Sequence, residues 1–162
     1  MVKTLWETTM TAVQTKAPTI RNAGTRPVQP RKLFVNVPVR DLQRSIRFFE
    51  ALGFTFNPQF TDATATCMLV GEDAYFMLLT AEKFASFSKH PAGDPRSETS
   101  ALFTISVNSR PEVDELVKKA IAAGGTHAAE PHDHGFMYGW SFYDLDGLHW
   151  EVFWMDPAAI QG

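Results

Sequence analysis

The chain has 162 residues, enough for one domain or two small modules sharing a core. Fifteen basic against 18 acidic residues leave a net charge of −3, which argues against nucleic acid or an anionic membrane surface as the main partner. A single cysteine, Cys67, excludes an intramolecular disulfide and points to a reducing, cytoplasmic setting, and no run approaches the 18 or so apolar residues of a membrane span.

Residues 1–31 carry five basic residues, one acid and three prolines, and read as a flexible or arm-like extension. Trp6, Met10 and Val13 fall at helical spacing and could form one short amphipathic helix; an organellar transit segment and a start at Met10 are the alternatives. The domain proper is expected over 32–156, with module 1 at 32–80, a connection at 81–99, module 2 at 100–156 and a tail at 157–162.

Leu33–Val39 is rich in β-formers, with Pro38 suited to an unpaired position. Asp41 is a ready N-cap for a helix whose apolar stripe runs through Leu42, Ile46, Phe49 and Leu52, with Gly53 as its C-terminal stop. Short strands follow at 54–57, 65–70 and 74–79, the last two joined by a turn at Gly71-Glu-Asp73. After the connection the order repeats: a strand at 101–107, a capping box Ser109-x-x-Glu112, a helix ending at Gly124-Gly125, a short strand at 126–129, and a hairpin of 136–143 with 148–154. The expected fold is α+β, two βαβββ modules that pack edge to edge and form a shared cleft.

Side chains alternate across a strand, so His149, Glu151 and Phe153 share one face of the last strand and Leu148, Trp150, Val152 and Trp154 the other. The wholly apolar set belongs against the helix layer, which leaves Glu151 and His149 for the cleft. The same logic leaves Phe34, Asn36 and Pro38 in the first strand and Leu102, Thr104 and Ser106 in the fifth. Matching the two hairpins adds Tyr75, Met77 and Leu79. Tyr138, Trp140 and Phe142 share a face, and alternation alone does not say which. Such a cleft is mostly apolar with a few polar handles, the make-up of a small-molecule pocket.

The run Phe34-Val-Asn-Val-Pro-Val-Arg-Asp-Leu-Gln-Arg-Ser-Ile-Arg-Phe-Phe-Glu-Ala-Leu-Gly-Phe54 resembles the opening of a vicinal oxygen chelate module, the superfamily of glyoxalase, bleomycin resistance proteins and dioxygenases. Asp144-Leu-Asp-Gly-Leu-His-Trp-Glu151 is similar to its closing hairpin, and Asp133–Gly139 with Glu151–Asp156 resembles a lactoylglutathione-lyase-like subgroup. The resemblance covers about 32–156. It implies paired modules around a cleft, a homodimer, and in the enzymes a divalent metal with up to four His/Glu-type ligands. Carried over position by position, the closing glutamate is Glu151, while the other three ligand positions fall on Phe34, Met77 and Leu102. One carboxylate does not hold a catalytic ion, which needs about three protein ligands. His149, Asp133 and loop residues His132 or His134 are the other donors in the neighbourhood, and the leading expectation is no cofactor, with a divalent metal as the alternative.

The leading functional expectation is a metal-free module that sequesters a small aromatic or cationic compound, with Phe34, Met77, Leu102 and Trp140 as walls, Asn36, Tyr75, Thr104 and His149 as further contacts, and Glu151 as counter-charge. The alternative is a lyase or isomerase of glyoxalase type, Glu151 acting as general base and Thr104, Ser106 or Asn36 orienting the substrate oxygen. A third reading is a protein with a macromolecular partner and no small ligand, using Phe84–Phe87 and the basic extension.

Overall fold

The computed structural model describes residues 31–159. The readings placed on residues 1–30, including the helix through Trp6, Met10 and Val13, lie outside the described residues.

Module 1 comprises β1 (Leu33–Val39), α1 (Leu42–Ala51), β2 (Thr55–Asn57), β3 (Ala65–Leu69) and β4 (Ala74–Thr80). A short helix, α2 (Ala81–Ala85), opens the connection. Module 2 comprises β5 (Leu102–Ser106), α3 (Arg110–Ala122), β6 (Thr126–Asp133), β7 (Met137–Tyr143) and β8 (His149–Met155). The two four-stranded sheets have the same strand order, β1-β4-β3-β2 and β5-β8-β7-β6. In each, the first strand runs parallel to the last and the other pairs are antiparallel. The doubling read from the sequence is therefore a doubling of topology.

The helix boundaries follow from capping. Asp41 accepts the amide of Arg44 and starts α1, and the chain leaves the helix through Gly53 at φ +98°. Ser109 accepts the amide of Glu112 at 3.4 Å, but the Glu112 carboxylate reaches back to the amide of Asn108, one residue before the expected cap amide.

The modules meet differently from the edge-to-edge expectation. Phe76 on β4 lies 4.9 Å from Phe103 on β5 and 4.7 Å from Trp150 on β8, ring centre to ring centre. From α1, Phe49 stands edge-on to Trp150 and Phe48 leans on Phe142. All of these rings belong to the helix-side faces. The two sheets thus turn their helix sides toward each other, with α1 wedged against β7 and β8, and Val37, Leu78, Val117, Phe142, Trp150 and Val152 join one core. The physical reason is area. Each helix covers only part of its own sheet, and facing the two exposed remainders removes large aromatics from water at about 25 cal/mol per Å². A buried polar pin accompanies this contact: Asp146, in the β7–β8 turn, accepts the Ser45 hydroxyl of α1 and two N–H groups of Arg40.

β6 is longer than the expected strand at 126–129 and takes in His132 and Asp133, which are strand rather than loop residues. Register shifts absorb Ala128, between His127 and Ala129, and set Glu130 and Pro131 against the single residue Trp140, between Ala129 and His132.

Candidate functional site

The helix-side faces being joined, each sheet presents its other face outward. On sheet 2 the register fixes who stands there. Leu102 pairs with His149 and Thr104 with Glu151. Tyr143 pairs with His149, Ser141 with Glu151 and Gly139 with Phe153, and His132 pairs with Gly139. Directly paired residues share a face, so Leu102, Thr104, Ser106, His149, Glu151, Phe153, Ser141, Tyr143 and His132 form one surface. Glu151 stands near its middle, half-buried, with Oε2 accepting the Thr104 hydroxyl at 2.9 Å.

Two imidazoles flank this carboxylate. His149 packs edge-on to Tyr143 with 5.0 Å between ring centres, and its Nε2 is shut off from solvent without a hydrogen-bond partner. Burial pushes its pKa down, and the charge of Glu151 opposes that shift only in part. The His132 ring lies across Gly139: a Cβ at that glycine would sit 2.7 Å from His132 Nε2. Burial again lowers the pKa, the neighbouring His134 adds to it, and Glu151 works against both. His134 lies 5.6 Å from His132 by ring centre.

The outward face of sheet 1 holds the other half of the expected set. Phe34 stacks on Tyr75 at 4.8 Å, and Asn36 pairs with Met77. The Tyr75 hydroxyl donates to the Glu72 carbonyl and accepts from Lys32. Phe34, Asn36, Tyr75 and Met77 are thus grouped on one sheet, and Leu102, Thr104, His149 and Glu151 on the other. Within one chain the two groups are not brought together, because the sheets join through their opposite sides.

Trp140 belongs to neither group, which corrects its assignment as a wall. It pairs with fully buried Val152, and two residues earlier Tyr138 bonds Asp114 of α3, so this set faces the helix layer. Its ring leans on His127, and its Nε1 is buried without a partner. Ser141, Tyr143, Gly139 and His132 take the place it was given. The signal for them was the Asp144–Gly147 turn: the Asp144 amide donates to the Leu148 carbonyl, which sets Tyr143 opposite His149 and fixes the alternation of the whole strand.

Two cavities, of about 190 and 420 Å³, lie under residues 92–101 of the connection and share Pro95, Glu98, Thr99 and Gly147. His149 lines the smaller and Tyr143 the larger, while Glu151 lines neither.

The family description for the Glyoxalase/Bleomycin resistance protein/Dioxygenase superfamily matches residues 33–152. The chain belongs to this superfamily. Among solved structures it is similar to hypothetical protein SA1046 from S. aureus, with 31% identity over 77% of this chain and 94% of that one and a TM-score of 0.66. A glyoxalase/bleomycin resistance protein/dioxygenase family enzyme from Burkholderia phytofirmans PsJN matches with 21% identity over 75% and 96% and a TM-score of 0.63. Fosfomycin resistance protein FosX from Mesorhizobium loti matches with 16% identity over 82% and 97% and a TM-score of 0.58. The last two are likenesses of fold. No curated protein matches the chain.

The divalent ion associated with enzymes of the superfamily does not fit the residues present at its usual place. Phe34, Met77 and Leu102 offer no oxygen or nitrogen donor, which leaves the Glu151 carboxylate. Among the described residues no group of three or more His, Cys, Asp or Glu side chains is placed to hold a metal ion. Also among the described residues, no helix is long and apolar enough to cross a membrane.

Proposed function

We propose that this superfamily member binds a small aromatic cation, without a metal, against the outward face of sheet 2. The observation that carries the reading is the Thr104–Glu151 pair: a carboxylate held in place on a face that also presents Leu102, Phe153 and Tyr143. A carboxylate among apolar and aromatic groups is matched by an organic cation whose flat body covers the walls.

One face of one chain is too open to enclose such a ligand, and the proposal includes a second copy of the chain. Leu33 is 61% exposed, Phe34 48% and Leu102 52%, all at the starts of β1 and β5. Exposed apolar side chains of this size gathered at strand starts suit an interface. Laying the sheet 1 face of a partner over the sheet 2 face would bring Phe34, Asn36, Tyr75 and Met77 opposite Glu151. A reducing, cytoplasmic setting belongs to the same reading.

The test is a thermal-shift series with aromatic cations, phenyltrimethylammonium first, at millimolar concentration. A ligand that binds the folded state alone raises Tm by mass action. The expected result is a rise of several degrees that Glu151→Gln abolishes while leaving the ligand-free Tm unchanged. A rise that survives Glu151→Gln, or no rise with any aromatic cation, overturns the reading.

A second reading uses the same carboxylate as a general base that moves a proton next to a carbonyl. What favours it is Thr104, whose hydroxyl holds Oε2 and so fixes the carboxylate on this face. Hydrogen–deuterium exchange at the carbon beside the carbonyl of an α-hydroxyketone, followed by NMR and lost in Glu151→Gln, would move the assignment to this reading.

A further inference from the structure

We propose that the larger of the two cavities under the connection is a second binding site, and that its ligand is a free amino acid with an apolar side chain, its carboxylate on Arg44 and its ammonium on Glu98. The inference goes beyond the cation-binding reading and does not depend on it.

The cavity exists because the connection touches down at one point. Asp94 folds residues 94–98 into a turn: its carbonyl accepts the amides of Ser97 and Glu98, and its carboxylate accepts the amide of Arg96. This turn rests on Gly147, where a Cβ would lie 2.8 Å from Arg96 Cγ and 3.0 Å from the Arg96 nitrogen. Gly147 sits at φ +94°, which glycine adopts at no steric cost. Pro95 and Gly147 line both cavities, so the contact stands between them. At about 420 Å³ the larger cavity falls in the range of roughly 300–1,000 Å³ typical of small-molecule sites. Its walls come from α1, the connection, the turn into β6 and the β7–β8 turn.

Four charged side chains line it, Arg44, Arg96, Glu98 and Asp144, and two of them are spent. Arg96 gives two N–H groups to the two oxygens of Asp94, at 2.9 and 2.6 Å. Asp144 accepts the amides of Asp146 and Leu148 on one oxygen and the Trp150 indole N–H on the other. Among the described residues, no hydrogen bond or ion pair engages the Arg44 guanidinium or the Glu98 carboxylate.

One cation and one anion, carried on different elements, match a ligand that bears both charges. A simple anion would meet repulsion from Glu98, and a simple cation from Arg44. A guanidinium takes a carboxylate through two parallel N–H donors, and a carboxylate accepts from an ammonium. Thr99 and Thr126 bring hydroxyls that both donate and accept. Pro95, Leu145 and Tyr143 supply apolar wall for the side chain of the amino acid.

The experiment is calorimetric titration of the full chain at pH 7 with L-phenylalanine, with 3-phenylpropionate, which lacks the ammonium, and with phenethylamine, which lacks the carboxylate. The comparison is made in Glu151→Gln, so that binding at the sheet 2 face is not counted. L-Phenylalanine is expected to bind this host as it binds the unaltered protein, within twofold, and at least tenfold tighter than either analogue binds it. Added to the host, Arg44→Gln should make phenylalanine and phenethylamine equal within twofold. Glu98→Gln should do the same for phenylalanine and 3-phenylpropionate. Both positions are exposed, so Tm should not move. No binding of phenylalanine, analogues that bind as well as it does, or a preference that survives either variant would overturn the site. A tenfold loss of phenylalanine affinity on Glu151→Gln alone would place the amino acid on the sheet 2 face and overturn it as well.

Discussion

Arg40 gives Asp146 both its backbone N–H and its Nε–H, each at 3.0 Å to the same oxygen, and so ties the end of β1 to the β7–β8 turn of the other module. The second oxygen of Asp146 takes the Ser45 hydroxyl at 3.2 Å. The carboxylate is 9% exposed while the Arg40 side chain is 53% exposed, so the acid is the buried member and the arginine remains half in water. Asp146→Ala would leave the Arg40 amide and the buried Ser45 hydroxyl without their acceptor, at about 1–3 kcal/mol for each buried group left unmade. The expected loss is about 3 kcal/mol in urea unfolding, against a change under 1 kcal/mol for Arg40→Lys, which keeps the backbone donor and a cation. Equal losses for the two variants would show that the ion pair, rather than the buried acceptor, holds the modules together.

Two residues back, Asp144 is buried and accepts three N–H groups, from Trp150, Asp146 and Leu148. Burial nevertheless lifts its carboxyl to about 6 from the ordinary 3.8, and the adjacent Asp146 adds to the lift. The folded chain therefore holds this proton more tightly than the unfolded chain. Its contribution to stability is fully present below pH 3.8 and is lost as pH rises through 6, by about 3 kcal/mol at most. The stability of the unaltered protein minus that of Asp144→Asn should accordingly fall between pH 4 and pH 7. A difference independent of pH over that range would mean that the three donors outweigh burial.

The topology was legible because it rests on local signals: the Asp41 and Ser109 caps, the Gly53 and Gly124 exits, and the β-rich runs between them. Glu151 and His149 were legible for a related reason, since Leu148 and the alternating Trp150, Val152 and Trp154 of β8 left only one face for them. The mutual placement of the modules was not, because Phe76, Phe103 and Trp150 are as apolar in an edge-to-edge packing as in the observed face-to-face core. His132 was hidden by Pro131 and by the bulges that let β6 continue past it. Trp140 misled because a large aromatic suits a cleft wall and a helix contact equally well by composition.

Trp140 tests that correction directly. Its Nε1 is a buried donor without a partner, and its ring leans on His127 rather than facing Glu151. Trp140→Phe removes the unmet donor, worth about 1–3 kcal/mol, and gives up a comparable amount of packing. The expected net change in unfolding free energy is within about 1 kcal/mol. Affinity for phenyltrimethylammonium should stay within twofold, whereas a tenfold loss would return Trp140 to the ligand wall.

The second copy of the chain has its own test in charge pairing. Leu102 and Phe34 are half exposed in one chain, so a charged residue at either position should leave the fold intact, with unfolding changed by less than about 0.5 kcal/mol. In an interface built from the two outward faces, the same changes would bury an unpaired charge, which costs several kcal/mol. Leu102→Glu alone and Phe34→Lys alone should each shift sedimentation from twice the chain mass to the chain mass. In that proposed interface Phe34 of one copy would lie near Leu102 of the other, so the two changes together would supply opposite charges across it, and dimer should reappear at low ionic strength and fade as salt is raised. Single variants that remain dimeric would place the second copy on another surface, and a chain that is monomeric without any substitution would leave the sheet 2 face to hold its ligand alone.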